Sequence, residues 1–374
     1  MKILVAGDFC PQHQVAELLN KEDYQPVLGD AKRIISSADY AIVNFECPIA
    51  NEDDKPITKA GPNLGCSING IKAVKWAGFD GVTLANNHFN DYGENGVKKT
   101  LMACKEMGLD TVGGGMNLGE AAQILYKEIC GKKLAIINCC EHESSIATDK
   151  TAGSNPLNPI QQYYAIKEAK GKADYVLVIV HGGHEHHQLP SPRMQETYRF
   201  FVDAGADVVI NHHQHCYSGY ENYHGKPIFY GLGNFCFDKK KKMKDIWYEG
   251  YMVMIRLEEI IKYEIVPYSQ CLTDVKVSLV NYSVIKKKIE ELNRVISEKK
   301  LLEAETMKYY QSCKWRYLNV FEPIRNKIYL YLKKRNVLPS LISHKRKLVA
   351  SSFICCESHR DILAYLLRGH FSDN

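Results

Sequence analysis

Across its 374 residues the chain has no apolar run near the eighteen or so residues that a membrane-crossing helix needs. Close to the N-terminus, Gly7 and Asp8 stop the apolar run of KILVAGD after four residues, so no secretory h-region forms. The expected location is the cytoplasm, with peripheral contact at the inner membrane as the alternative. A disulfide framework and zinc-finger spacing are also missing. The 13 cysteines lie in a long chain without an export signal, and the pairs Cys139-Cys140 and Cys355-Cys356 are adjacent, so reduced thiols are expected. The run Gly113-Gly114-Gly115 lacks the Gly-Lys-Ser/Thr ending of a phosphate-binding loop and reads as a tight turn. No internal repeat stands out.

Hydrophobic residues make up 45% and charged residues 24%, which places the chain among ordinary globular proteins. Its net charge of +5 is unevenly spread. Residues 276–374 hold 20 Lys and Arg against 9 Asp and Glu, a local +11, which leaves −6 for residues 1–275. This basic end suits an anionic polymer or an anionic membrane surface, or is simply a solvated helical face. No specific nucleic-acid partner is expected. The pattern of elements changes at the same place. Residues 1–238 alternate short apolar runs with helical stretches, as in KILVAGD (2–8), INGIKAVKWAG (68–78), KKLAIINCCE (132–141), ADYVLVIVHGG (173–183) and SPRMQETYRFFVDAGA (191–206). That alternation predicts an α/β sheet with covering helices. Residues 226–268 read as antiparallel strands closing the domain. Helical patterns follow over about 283–313, around 314–335 and over 340–368, so a boundary is placed near 275, between a domain of 1–275 and a basic helical extension of 276–374.

The strands of the first 240 residues share one feature. Each runs into polar side chains at its end: Asp8; Asn44 and Glu46; Asn86, Asn87 and His88; His181, with His184, Glu185 and His186 just after; then His212, His213 and His215; and Asn234. In open α/β sheets, ligands bind beyond the carboxyl ends of the strands. Carboxylates, amides and imidazoles together suit Mn, Fe or Zn, and two such ions can clamp a phosphoryl group and activate a water. In DVVINHHQHCYSG, an extended backbone would put the rings of His213 and His215 on one side, as ligands of two neighbouring ions or of one. A polar loop merely rich in histidine is the plain alternative.

The segments GDFC, NFECPI, LANNHFNDYGENG, VHGGHEH, GADVVINHHQH and KPIFYGLGNFCFD resemble, in order and spacing, the bacterial capsule synthesis CapA family. That family is named for poly-γ-glutamate capsule synthesis and belongs to the calcineurin-like metallophosphoesterases. The resemblance covers about residues 1–240. It implies a four-layer α-β-β-α sandwich, followed here by the helical extension, with two divalent ions at the strand ends. By the same resemblance Asp8 and His215 would bind the first metal and Asn87, His181 and His213 the second, with Glu46 at the bridging position. His88 would donate a proton to the leaving oxygen, and Asn44, Glu185 and Asn234 would orient the site or touch substrate.

Three positions depart from the family pattern. Cys10 stands where a histidine is usual and is expected to be an inert packed thiol, with ligation as a thiolate the alternative. Gln214 replaces a proline between His213 and His215, and Asn211 replaces a glycine. His212 is expected to shape the loop, and His184, His186 and His187 to face substrate or solvent. The five lysines of Lys239–Lys244 would either hold a polyanion or be solvated. The resemblance therefore implies phosphoester hydrolysis by a metal-activated water, linked to capsule, exopolysaccharide or poly-γ-glutamate biosynthesis. Its substrate would be anionic or phosphorylated, with capsule polymer among the candidates, and its partner a capsule synthesis complex. The alternative is an accessory subunit without catalysis, which binds an anionic polymer or acts in γ-glutamyl polymer assembly.

Overall fold

The computed structural model describes residues 1–318 and 343–367, with residues 332, 335 and 337 between them. In chain order its strands are β1 (Lys2–Phe9), β2 (Tyr40–Phe45), β3 (Gly81–Thr83), β4 (Asp110–Val112), β5 (Gly114–Gly115), β6 (Leu125–Ile129), β7 (Lys132–Cys140) and β8 (Gly153–Ser154). They continue with β9 (Tyr175–His181), β10 (Val208–His212), β11 (Tyr220–Tyr223), β12 (Lys226–Phe229), β13 (Asn234–Cys236), β14 (Glu249–Arg256), β15 (Lys262–Gln270) and β16 (Val277–Leu279). One sheet runs β16-β15-β14-β1-β2-β3-β4, with β13 also paired to β1, and a second runs β11-β12-β10-β9-β7-β6.

Alternation of side chains along the strands builds the layers. On one face of the first sheet, Ile3, Val5, Ile42 and Val253 join a core shared with the second sheet, through Ile137, Val178 and Val209 among others. On the opposite face, Leu4, Ala6 and Val43 pack under the helices α1 (His13–Asn20), α2 (Gln25–Ile35), α3 (Asn69–Ala77) and α4 (Gly93–Glu106). After the short α5 (Leu118–Ala121), α6 (Pro159–Lys172) and α7 (Pro192–Ala204) cover the second sheet with Ile166, Tyr198 and Phe201. The result is the expected α/β sandwich of four layers, with helices following it. Sequence reading did not find α2, whose Pro26 and Gly29 disguise a helix that buries Val27, Leu28, Ala31 and Ile35.

Beyond residue 275 the chain stays in contact with the sandwich. Strand β16 pairs with β15. The single helical stretch expected over about 283–313 is two helices, α8 (Ser283–Ser297) and α9 (Lys299–Ser312), because Glu298 takes an extended backbone between them. Ile285, Ile289, Leu292 and Ile296 of α8 belong to the main core. The helix expected around 314–335 lies only partly within the described residues, as α10 (Lys314–Leu318). It forms a small second core with the helices His344–Cys355 and Glu357–Leu367, around Tyr310, Tyr317, Phe353, Ile362 and Leu366.

The last of these helices is fastened by Arg193 of α7. Its Nη2 reaches Glu141 Oε1 at 2.6 Å and Ser358 Oγ at 3.2 Å, and its Nε reaches Asp361 Oδ2 at 2.7 Å. Burial alone would raise the Glu141 carboxyl, but the Arg193 charge and the Ser358 hydrogen bond hold it at about 2. Arg193→Ala leaves Glu141 buried without its counter-ion, and should cost on the order of 1–3 kcal/mol. Limited proteolysis should then cut the segment 343–367 at protease levels that spare the wild type; equal resistance would count against this fastening.

Candidate metal centre

Strand register assembles the site. In the first sheet β1 lies between β2 and β13, and a bulge beside Asp8 sets it level with Asn44 on one side and Asn234 on the other. In the second sheet His212 of β10 is level with His181 of β9. The ends of the two sheets therefore face each other across a small gap, and Glu46 and Asn87 enter it from the segments after β2 and β3.

The donors converge closely. His215 Nδ1 is 3.5 Å from Asp8 Oδ2, and His215 Nε2 is 3.5 Å from Glu46 Oε1. His181 Nε2 lies 3.9 Å from the same Glu46 oxygen, 3.0 Å from Asn87 Oδ1 and 3.1 Å from His213 Nδ1. Two triads, Asp8-Glu46-His215 and Glu46-His181-His213, each bring one atom per residue within 4.8 Å of the others, and Glu46 belongs to both. Around them sit orienting groups. Asn44 Nδ2 donates to Asp8 Oδ1 at 2.7 Å, and Asn234 Oδ1 is 2.9 Å from His215 Nδ1. Hydrogen bonds of this kind fix the orientation of metal ligands.

The donor set fits cations. Both carboxylate oxygens of Glu46, Oδ2 of Asp8 and both ring nitrogens of His212 are buried without a hydrogen-bond partner. Buried polar atoms are almost always satisfied, so five orphans in one place mark a position that could take cations. The charge pattern agrees. Burial, with the Asp8 charge beside it, pushes the Glu46 carboxyl well up. Burial would raise Asp8 as well, but His215 and His212 outweigh it and hold Asp8 low.

The loop after β10 departs from the extended backbone expected of it. His213 has φ 90° and His215 φ 54°, both left-handed, so the rings reach the site by a coiled loop and not by strand alternation. Asn211 steadies that loop. Its Nδ2 donates to the carbonyls of Gly182, His212 and Tyr230, while its Oδ1 accepts from the Tyr198 hydroxyl at 2.7 Å. His212 does more than shape the loop, since its Nδ1 lies 3.6 Å from Asp8 Oδ1.

His88 stands at the rim. Its Nδ1 is 2.7 Å from Asp91 Oδ2 and 3.2 Å from Lys59 Nζ, and Lys59 also pairs with Asp91. Burial lowers the His88 pKa, Lys59 pushes the same way, and Asp91 opposes both. Sequence reading missed Asp91 and Lys59. Asp91, three residues after His88, was a usable signal; Lys59 comes from a loop that only the fold brings near. A chamber of about 230 Å³ opens here, with Lys59, His88 and Glu185 on one wall and Arg316, Phe353 and His359 of the C-terminal helices on the other.

Of the neighbouring histidines, His186 is exposed as expected, but His184 and His187 do not face substrate or solvent. His184 is buried, with Nε2 3.3 Å from the Tyr310 hydroxyl, and His187 stacks on Tyr309 at 4.1 Å. Both dock α9. His186 lies beside His215 and Trp247. Cys10 is fully buried, with its thiol next to Gln12 and Cys47 and outside both triads. Lys239 lies over the rings of Phe237 and Trp247.

Residues 2–239, which carry every one of these donors, match the model of the bacterial capsule synthesis protein family PGA_cap. The chain belongs to that family. Within it, a capsule biosynthesis protein CapA of Bacillus anthracis is 37% identical over 247 residues, covering 64% of this chain and 60% of that protein. A PGA biosynthesis protein CapA of Bacillus subtilis (strain 168) is 32% identical over 236 residues, 62% of each chain. The chain thus spans less than two thirds of these family members' length. Among solved structures, a 5'-nucleotidase precursor from Thermus thermophilus aligns with 79% of this chain and 59% of its own, at a TM-score of 0.44 and 10% identity. That likeness is too slight to carry an argument. No helix among the described residues of this family member is long and apolar enough to cross a membrane.

Proposed function

We propose that the chain is a metal-dependent phosphoester hydrolase acting in capsule or poly-γ-glutamate biosynthesis. One observation carries the reading: Glu46, buried with two unpartnered oxygens, is common to both donor triads. Two divalent ions of the Mn, Fe or Zn class would share it. Asp8 and His215, with His212 adjacent, would hold the first, and Asn87, His181 and His213 the second. When bound, such a pair polarises phosphoryl oxygens and makes water a stronger nucleophile. The protein's own groups do the rest. Asp91 holds Nδ1 of His88, which leaves Nε2 to give a proton to the departing oxygen. Arg316, with Lys59 that also pairs with Asp91, favours an anionic substrate in the chamber, and the lining carboxylates Glu143 and Glu185 limit how much negative charge can enter.

Metal analysis of wild type and Glu46→Gln, both loaded with Mn, tests this. The variant should hold about two ions fewer per chain. The wild type should hydrolyse a plain phosphodiester such as bis(p-nitrophenyl) phosphate, and the variant should not. Bound ions without any phosphoester turnover would favour an accessory role in polymer assembly, and equal metal content would remove the shared site.

A further inference from the structure

A third group of donors lies outside both triads. Glu143, in the loop after β7, meets Cys356 and His359 at the start of the last helix, with one atom of each within 4.8 Å of the others. Residues more than two hundred positions apart form it, and a reciprocal clasp holds them in place. The His142 amide donates to Glu357 Oε2 at 2.8 Å, and His142 Nδ1 lies 2.5 Å from Glu357 Oε1. In return the Ser358 amide donates to Glu141 Oε2 at 3.3 Å, and the Cys356 thiol to the same oxygen at 3.6 Å. Residues 141–143 and 356–359 are thus fixed against each other on both flanks of the cluster. The imidazole is oriented as well. The Tyr317 hydroxyl, 2.6 Å away, takes up Nδ1 of His359 and leaves Nε2 for another partner. Metal-bound histidines are characteristically held in this way through the second nitrogen.

We propose that Glu143, Cys356 and His359 form a separate binding site for a single transition-metal ion of zinc type. A thiolate, an imidazole and a carboxylate are a donor set that zinc accepts, and three protein ligands leave a fourth position for water or for an anionic group of the substrate. On binding, the Cys356 proton passes to solvent and no electron is transferred; the thiol's contact with Glu141 is exchanged for the bond to the ion, and the Ser358 amide remains on Glu141. Cys356 is buried, whereas Glu143 and His359 are only half-buried and border the chamber wall. The ion would therefore tie the C-terminal helices to the sandwich beside the two-metal centre. It shares no ligand with that centre, so it stands or falls independently of the proposed hydrolysis. The nearest approach is His213 Nε2 to Glu143 Oε1, at 3.8 Å.

Cobalt(II) titration of the full chain tests the proposal, because a thiolate bound to cobalt gives a charge-transfer band in the near ultraviolet that oxygen and nitrogen ligands do not. The wild type should show the band. Cys356→Ser should lose it and bind one ion fewer, while Cys10→Ser and His213→Ala should keep it. Tyr317→Phe should weaken cobalt binding at this site roughly 10-fold, as loss of an outer hydrogen bond does. If Cys356→Ser fails to fold, His359→Gln replaces it and should lower the affinity for the banded ion at least as much. Absence of the band from the wild type, or its persistence in Cys356→Ser, would overturn the proposal.

Discussion

His88→Ala should lower turnover of an alkyl phosphodiester by roughly 10²- to 10⁴-fold, the usual contribution of a positioned general acid, while metal content stays unchanged. The expectation rests on the placement of His88 at the chamber wall with Nδ1 held by Asp91. The loss should depend on the leaving group. An alkoxide needs its proton, whereas p-nitrophenolate departs without one, so the variant should be impaired far less on nitrophenyl esters. Asp91→Asn should fall between wild type and His88→Ala, since the imidazole remains but its orientation and charge support weaken. Equal losses on both leaving groups would point to a positioning role for His88 instead of proton transfer.

Glu46→Gln should separate stability from metal binding. Without ions the wild type buries two carboxylate oxygens that no donor satisfies. An amide of the same size cannot ionise at this buried position, so the metal-free variant should melt no lower than the metal-free wild type. Adding Mn should reverse the order. At a thousand times the dissociation constant, a ligand stabilises the folded state by about 4 kcal/mol, and only the wild type should gain it. Thermal melting with and without Mn reads both arms. A variant that gains as much as the wild type would mean that Glu46 does not share in binding.

Much of this arrangement was legible from residue order. Strands such as Lys2–Phe9 and Tyr175–His181 announce themselves as unbroken apolar runs ended by Asp8 and His181, and their parallel pairing gathers those ends. Asp8, Glu46, Asn87, His181, His213 and His215 do meet. What stayed hidden depends on distance in sequence or on local backbone. The left-handed loop at His213 and His215 follows from the Asn211 strap, whose carbonyl partners no sequence pattern specifies. His184 and His187 looked available because their partners, Tyr310 and Tyr309, lie more than a hundred residues away. Lys59 joins Asp91 and His88 only once the loop before α3 folds over them.

The spread of the donors along the chain sets a schedule. Asp8 leaves the ribosome first, yet its strand finds Asn234 beside it only after more than two hundred further residues, and His215 arrives shortly before. Domains fold largely as units as synthesis proceeds. No partial chain ending before His215 therefore holds every proposed donor, and Asn234, which orients His215, comes later still. The aligned donor site is in effect a late product of folding, present only in chains in which both sheets have closed.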